Sequence, residues 1–426
     1  MDERIDLLRK YNPWKGKGLE IGYERSLYME RIAAYIGNRL VKVLVGQRRS
    51  GKSYILRQVA MKLIERGVNA ENILFINREL TAFDFLQTYK DLEELIHLYL
   101  DSLKPQGRIY LFIDEVQDIE GWEKVINSYS QDYTAEYELF ITGSNSQMLS
   151  GELSTLLSGR YVEFTVYPLS YQEYASFRKL PLGKQSYMAY MQDGAFPELL
   201  NLSGKEIKRN YISALKDTVL LKDVIRRYTI KDVRLLEDLF AYLVNNASNL
   251  LSIHNITNYF KSKGRKTSYE TVATYIGYIE ETFLAHRAER YNIRGKETIS
   301  GAYKYYMNDL SFKNYLYSGV GYGIGYLLEN LVYLELVRGG YQVYVGSIKD
   351  KEVDFVAMKN DRTIYIQSTY ILADEQTVER EYAPLEAIAD NYEKIVVSLD
   401  DLSLPLRDGI KHIQAWNLSE IIAQYG

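Results

Sequence analysis

An apolar strand that runs through a glycine-bounded loop straight into a helix constrains this chain more than any other feature. VKVLVG, residues 41–46, reads as a short buried strand bounded by glycine. Gly46-Gln47-Arg48-Arg49-Ser50-Gly51-Lys52-Ser53 follows, and then SYILRQVAMKLIERG, with apolar residues at helical spacing and Gly67 as its stop. The glycines allow successive backbone amides to point inward, which makes a concavity suited to phosphate. Lys52 then reaches the β- and γ-phosphates as a compact cation, the Ser53 hydroxyl ligates magnesium, and the helix start adds its positive dipole end. The predicted cofactor set is a nucleoside triphosphate with Mg²⁺, held by residues 46–53 together with Tyr54.

RIYLFID, residues 108–114, is a third strand, and Asp114-Glu115 stands at its C-terminal end. In open α/β sheets ligands bind beyond that end of the strands. Asp114 is predicted to hold the magnesium-bound water shell, and Glu115 to polarise the attacking water. ILFIN and a periodic helix over residues 83–103 lie between Lys52 and Asp114, so an extra strand is expected between the cradle strand and the acidic strand. YELFITGS, residues 137–144, leads to Asn145, favoured over Ser144 to touch the γ-phosphate or the water; a plain turn is the alternative. Gly159-Arg160 opens a fifth strand, and Arg160 offers a guanidinium to the transferring phosphate or a surface ion pair. Strands alternating with helices imply an α/β fold with a parallel sheet covered on both faces.

The set GQRRSGKS, LFIDEVQD, ITGSNS and LSGRYVEFTVYPLSYQEY resembles the bacterial AAA-type P-loop ATPases that carry a C-terminal domain of unknown function. The resemblance runs from about residue 20 to about residue 400. It implies a central sheet in the order 5-1-4-3-2, ATP as nucleotide, and Glu115 as catalytic carboxylate. Whether Arg160 serves its own or a neighbouring subunit's site is left open by the residues.

The length of 426 residues suits two or three domains. The absence of cysteine excludes disulfides, cysteine zinc sites and thiol catalysis, and the four histidines lack metal-ligand spacing. No apolar run is long enough to cross a membrane, and MDERIDLLRKYNPW lacks the apolar stretch of a signal peptide, so a cytoplasmic protein is expected. The reading divides the chain into a P-loop ATPase domain with a helical lead-in over 1–168, a helical and winged-helix domain over 169–310, and a C-terminal α/β domain over 311–426.

From 205 to 300 the chain has 17 Lys/Arg against 11 Asp/Glu, although the whole carries −4. KSKGRK and Arg226-Arg227 are the densest clusters, and the element order suggests a winged helix. DNA is therefore a possible partner, with SYETVATYIGYIE in the recognition position. Glu270, Glu280 and Glu281 on that helix favour instead a packing module.

The C-terminal order of helix, strand with Asp, strand and helix resembles the PD-(D/E)XK nuclease core. That resemblance assigns Glu329 and Asp354 to metal binding and puts Gln367 and Thr369 where a Glu and a Lys belong. Gln367 is a weaker metal ligand, and Thr369 supplies no cation, so the site is expected to be degenerate and inactive. The functional expectation is an ATPase that couples hydrolysis to domain movement on DNA or a protein partner, as a monomer or an oligomer. The alternatives are a nucleotide-gated interaction switch with little hydrolysis and an active metal-dependent nuclease.

Overall fold

Five apolar runs, each too short for a helix of ordinary length, become the strands of one parallel sheet. The computed structural model describes residues 3–146, 157, 159–318 and 323–425. Ser158 of the LSGRYVE segment lies outside the described residues, as does the side chain of Arg226. The chain forms two compact units, 1–166 and 167–426.

In the first unit the elements are α1 (Glu3–Tyr11), α2 (Ser26–Ala33), β1 (Val41–Val45), α3 (Lys52–Glu65), β2 (Ile73–Asn77), α4 (Tyr89–Leu103), β3 (Ile109–Asp114), α5 (Trp122–Gln131), β4 (Tyr137–Gly143) and β5 (Tyr161–Thr165). The order across the sheet is β2-β3-β4-β1-β5, and every pairing is parallel. Strands β1 to β4 are buried along their whole length, as a sheet covered on both faces requires. Leu44, Phe75, Phe112 and Phe140 pack there against Ile55, Leu56 and Val59 of α3.

Two expectations change. The strand between the cradle strand β1 and the acidic strand β3 is β4; ILFIN (β2) lies at the sheet edge. The crossover through α3 passes over two strand positions, which β3 and β4 later fill, and order along the chain does not encode that step. The lead-in is also less helical than expected: α1 and α2 are separated by Pro13 and by Gly16 and Gly22 at positive φ.

The second unit begins with α6 (Tyr171–Arg178), α7 (Lys184–Asp193), α8 (Pro197–Asn201) and α9 (Lys205–Thr218). It continues with α10 (Val233–Asn245), β6 (Leu250–Leu251), α11 (Ile253–Ser262), α12 (Tyr269–Glu281), β7 (Ala285–Asn292) and β8 (Glu297–Met307). Then come α13 (Ile324–Arg338), β9 (Gln342–Ile348), β10 (Lys351–Lys359), β11 (Arg362–Ser368), α14 (Glu375–Glu386), β12 (Glu393–Ser398), β13 (Ile410–Gln414) and α15 (Leu418–Tyr425). One mixed sheet, β13-β12-β11-β10-β9-β7-β8-β6, joins all eight strands. KIVVSL lies on β12, and β13 extends the sheet beyond it. No described helix is long and apolar enough to cross a membrane.

Candidate functional site

The loop after β1 is shaped by main chain. Gly46 has φ +146°, and a Cβ there would run into the Val166 carbonyl oxygen, so a side chain cannot be accommodated without moving backbone. Arg49 at φ 67° and Gly51 at φ 103° also take left-handed conformations, which turns loop amides toward one side. Gly51 precedes α3 and supplies no side-chain cap, so the first amides of the helix remain available to an anion. The side chains of Gln47, Arg48, Ser50 and Lys52 are buried, Arg49 is exposed, Ser53 is half-buried, and Tyr54 is exposed at the helix start.

Lys52 Nζ folds back over the loop and donates to the carbonyl oxygens of Gly46 at 2.9 Å and Gln47 at 3.1 Å. It also lies 3.7 Å from Glu115 Oε1. Arg48 Nη2 is 3.9 Å from Glu115 Oε2, while its Nη1 reaches Glu79 Oε1 at 2.5 Å. Glu115 follows β3 in the left-handed region, φ 55°, and accepts a 2.6 Å hydrogen bond from Gln117 Nε2. Burial alone would push the Glu115 carboxyl up, but Lys52 and Arg48, helped by Gln117 and Ser144, hold it below the usual carboxylate value.

Asp114 is the last residue of β3 and is fully buried. Its Oδ1 accepts from Thr142 Oγ1 at 2.6 Å. Its Oδ2 is buried and has no hydrogen-bond partner among the described residues. Burial, with the neighbouring Glu115 charge, pushes Asp114 up to about 6, against the lowering effects of Thr142, Ser53 and Lys52. An unsatisfied buried carboxylate oxygen beside a serine hydroxyl and a lysine is a poor arrangement for protein alone. It fits a hard divalent cation that takes oxygen ligands and keeps several waters, so Ser53 and Asp114 are the residues that would hold magnesium.

Asn145 lies two residues past β4 and is buried, as is Ser144. Because β4 sits between β1 and β3, this places Asn145 at the same sheet edge as the loop and Glu115. Arg160 is not brought there. It precedes β5, whose first residue Tyr161 pairs with Val41, at the opposite end of the strands from the loop after Val45. A five-residue strand separates the two ends by ~16 Å. Arg160 is exposed, and its Nη1 reaches Asn127 Oδ1 at 3.3 Å.

Sequence reasoning missed Thr142, Arg48 as a partner of Glu115, and Arg25. Arg25 is buried, and its Nη1 donates to the Ser50 carbonyl oxygen at 2.9 Å. Gln58 Nε2 ties the same lead-in to α3 through the Ile21 and Tyr23 carbonyl oxygens, at 2.7 and 2.6 Å. Only the TG step before Ser144 hinted at Thr142; nothing in the chain pointed to Arg25.

In the second unit Glu329 lies on α13, Asp354 on β10 and Gln367 on β11, and Thr369 follows β11. Gln367 Oε1 accepts from the Asp354 amide at 3.3 Å, and its Nε2 donates to Glu381 at 3.2 Å. Thr369 is buried and donates its amide to the Val397 carbonyl oxygen at 2.9 Å. Glu329 and Asp354 both face Lys304 of β8, a residue the sequence reading did not single out.

A family model described as an AAA domain matches residues 38–175, and one described as a domain of unknown function matches residues 184–321. An uncharacterized protein of Haemophilus influenzae is 34% identical over 378 residues, covering 88% of this chain and 92% of the relative. An uncharacterized protein of Methanocaldococcus jannaschii is 28% identical over 404 residues, covering 91% of this chain and 86% of the relative. Among solved structures, the Walker-type ATPase of Pyrococcus abyssi matches at 17% identity and a TM-score of 0.44, over 68% of this chain and 94% of its own.

Proposed function

This chain belongs to a family of AAA-domain P-loop ATPases that includes the Haemophilus influenzae protein, and on that premise we propose that it binds ATP with magnesium, hydrolyses it, and couples the nucleotide state to movement of the segments that follow. The observation that carries this reading is the orphaned Asp114 Oδ2 beside Ser53 and Lys52. Magnesium, bound with the nucleotide, neutralises charge on the β- and γ-phosphates. Loop residues 46–51 surround the phosphates with amides, Lys52 leaves its carbonyl partners to reach them, and Asn145 orients the attacking water. Glu115, kept ionised by Lys52 and Arg48, accepts the proton of that water. Replacement of Lys52 by alanine is expected to abolish hydrolysis in a chain that still folds by circular dichroism; unchanged turnover overturns the assignment.

Arg160 is proposed to serve a neighbouring copy's site, a reading supported by its exposure and its distance from its own loop. The segment from α10 to β8 is proposed as a winged helix, and its positive balance supports DNA as the partner class. Duplex binding that weakens with salt would support that reading, and salt-independent or absent binding would leave a packing module. The unit around Glu329 and Asp354 is proposed as an inactive PD-(D/E)XK-like module.

One observation favours the second reading, a switch that holds ATP and turns over little: Glu115 is already engaged by Gln117, Arg48 and Lys52. Radiolabelled ATP separates the two, with multiple turnover on one side and stoichiometric retention on the other.

A further inference from the structure

The second unit buries a charged group that the nucleotide chemistry does not use. The Lys304 side chain, on β8, is 4% exposed. Its ammonium lies 2.8 Å from Glu329 Oε1, 2.7 Å from Glu352 Oε1 and 3.8 Å from Asp354 Oδ1. The three carboxylates come from α13 and β10, so one helix and one strand converge on a lysine of a third element. Tyr306 OH donates to the same Glu329 oxygen at 2.8 Å. The other Asp354 oxygen, Oδ2, accepts from the Ser368 amide at 2.8 Å and its hydroxyl at 2.9 Å.

We propose that the Lys304 ammonium occupies the place a divalent cation would take among Glu329, Glu352 and Asp354, and so keeps this centre closed to metal. Three carboxylates around one point are the donor set of a hard divalent ion. Here that point already holds a fixed charge. An ammonium has three N–H donors; Glu329 and Glu352, at 2.8 and 2.7 Å, take two of them, and Asp354, at 3.8 Å, adds its charge without a hydrogen bond. The Lys304 ammonium is thus committed to carboxylates of its own chain. Its backbone is paired with Ala288 on one side and Leu250 on the other, and its stem is buried. Burial works against the lysine's charge, but Glu329, Asp354 and Glu352 outweigh it and raise its pKa, so the ammonium persists across the ordinary pH range.

The test is Mn²⁺ binding to the full-length chain without nucleotide, followed by electron paramagnetic resonance. In the native chain, Asp354→Asn is expected to leave Mn²⁺ binding unchanged. Lys304→Ala is expected to gain one Mn²⁺ per chain, lost again in the Lys304→Ala/Asp354→Asn double variant. Lys304→Gln, which keeps more of the stem, serves if the alanine variant does not fold. Mn²⁺ bound by the native chain and lost in Asp354→Asn would overturn the proposal, because metal and ammonium would then coexist. Folded Lys304 variants that gain no Mn²⁺ would overturn it equally. Neither result bears on the ATP reading, since Ser53 and Asp114 are intact throughout.

Discussion

Thr142 Oγ1 donates to Asp114 Oδ1 across 2.6 Å and accepts the Glu115 amide at 2.9 Å. One hydroxyl on β4 thereby fixes both acidic residues at the end of β3. Removal of the hydroxyl at constant shape, Thr142→Val, takes the 2.6 Å donor from Asp114 Oδ1 and frees the Glu115 backbone amide. Outer-shell partners of this kind are worth about 10–100-fold in metal affinity or activity. Hydrolysis by Thr142→Val is expected to fall by about that factor in kcat, with Thr142→Ser close to native. Steady-state kinetics at saturating Mg-ATP measure it, and native kcat in Thr142→Val would show that the strands alone position the pair.

Arg160 sits at the opposite end of the strands from its own loop. If it serves a neighbour, Lys52→Ala and Arg160→Ala chains are each inactive alone, yet a mixture regains part of the activity. The regained sites pair an intact loop in one copy with an intact Arg160 in the next. A mixture that stays silent while the native chain is oligomeric would remove Arg160 from the chemistry.

Lys42 Nζ and Glu138 Oε1 form a 2.6 Å ion pair in which neither side chain is exposed. Burial pushes the Lys42 pKa down, and Glu138 works against that shift. Breaking such a pair strands a buried charge, at a cost of about 3–5 kcal/mol. Glu138→Ala is therefore expected to lose about that much stability in urea unfolding. The Lys42→Met/Glu138→Leu double variant should recover part of it, although Gly37 N also loses its Glu138 acceptor. A single variant within about 1 kcal/mol of native, on the order expected for an exposed pair, would mean that water reaches the site.

His412 accepts the Leu404 amide at Nδ1, at 2.8 Å, so its proton lies on Nε2 and points to Ser398 Oγ, also at 2.8 Å. Burial lowers its pKa from 6.5, against the raising effect of Asp400. The folded chain thus takes up this proton at lower pH than the unfolded chain. The His412 contribution to stability is full above the ordinary histidine value and is lost as pH falls below it. Glu280, pushed up to about 7 by burial, acts in the opposite direction. The His412 share is therefore read as the difference in Tm between the native chain and His412→Gln, which should shrink from about pH 7.5 to about pH 5.5, on either side of the ordinary histidine value. A constant difference would show that His412 titrates as it does in the unfolded chain.

The phosphate loop and the Asp114-Glu115 pair were legible in the sequence because each depends on neighbours in the chain. Gly46, Gly51 and Lys52 must follow a strand directly, and Asp114 must end one. Arg25, Arg48 and Thr142 were not legible, because their roles depend on which strands lie side by side and on how the lead-in crosses α3. Arg160 was legible as a cation at the start of β5; its separation from the loop needed the register Val41 to Tyr161. In the second unit Glu329 and Asp354 could be picked out by order along the chain. Lys304 could not, since it comes from a hairpin strand and meets them only through folding.

The pairing of β7 with β9 is parallel and runs from Arg290–Val345 to Asn292–Ser347. It stitches the hairpin that follows the helices to the strands that precede the C-terminus. A torque delivered to the helices at one side of this seam therefore crosses only three residue pairs, next to the register shift between Glu289 and Arg290, before it reaches the far strands.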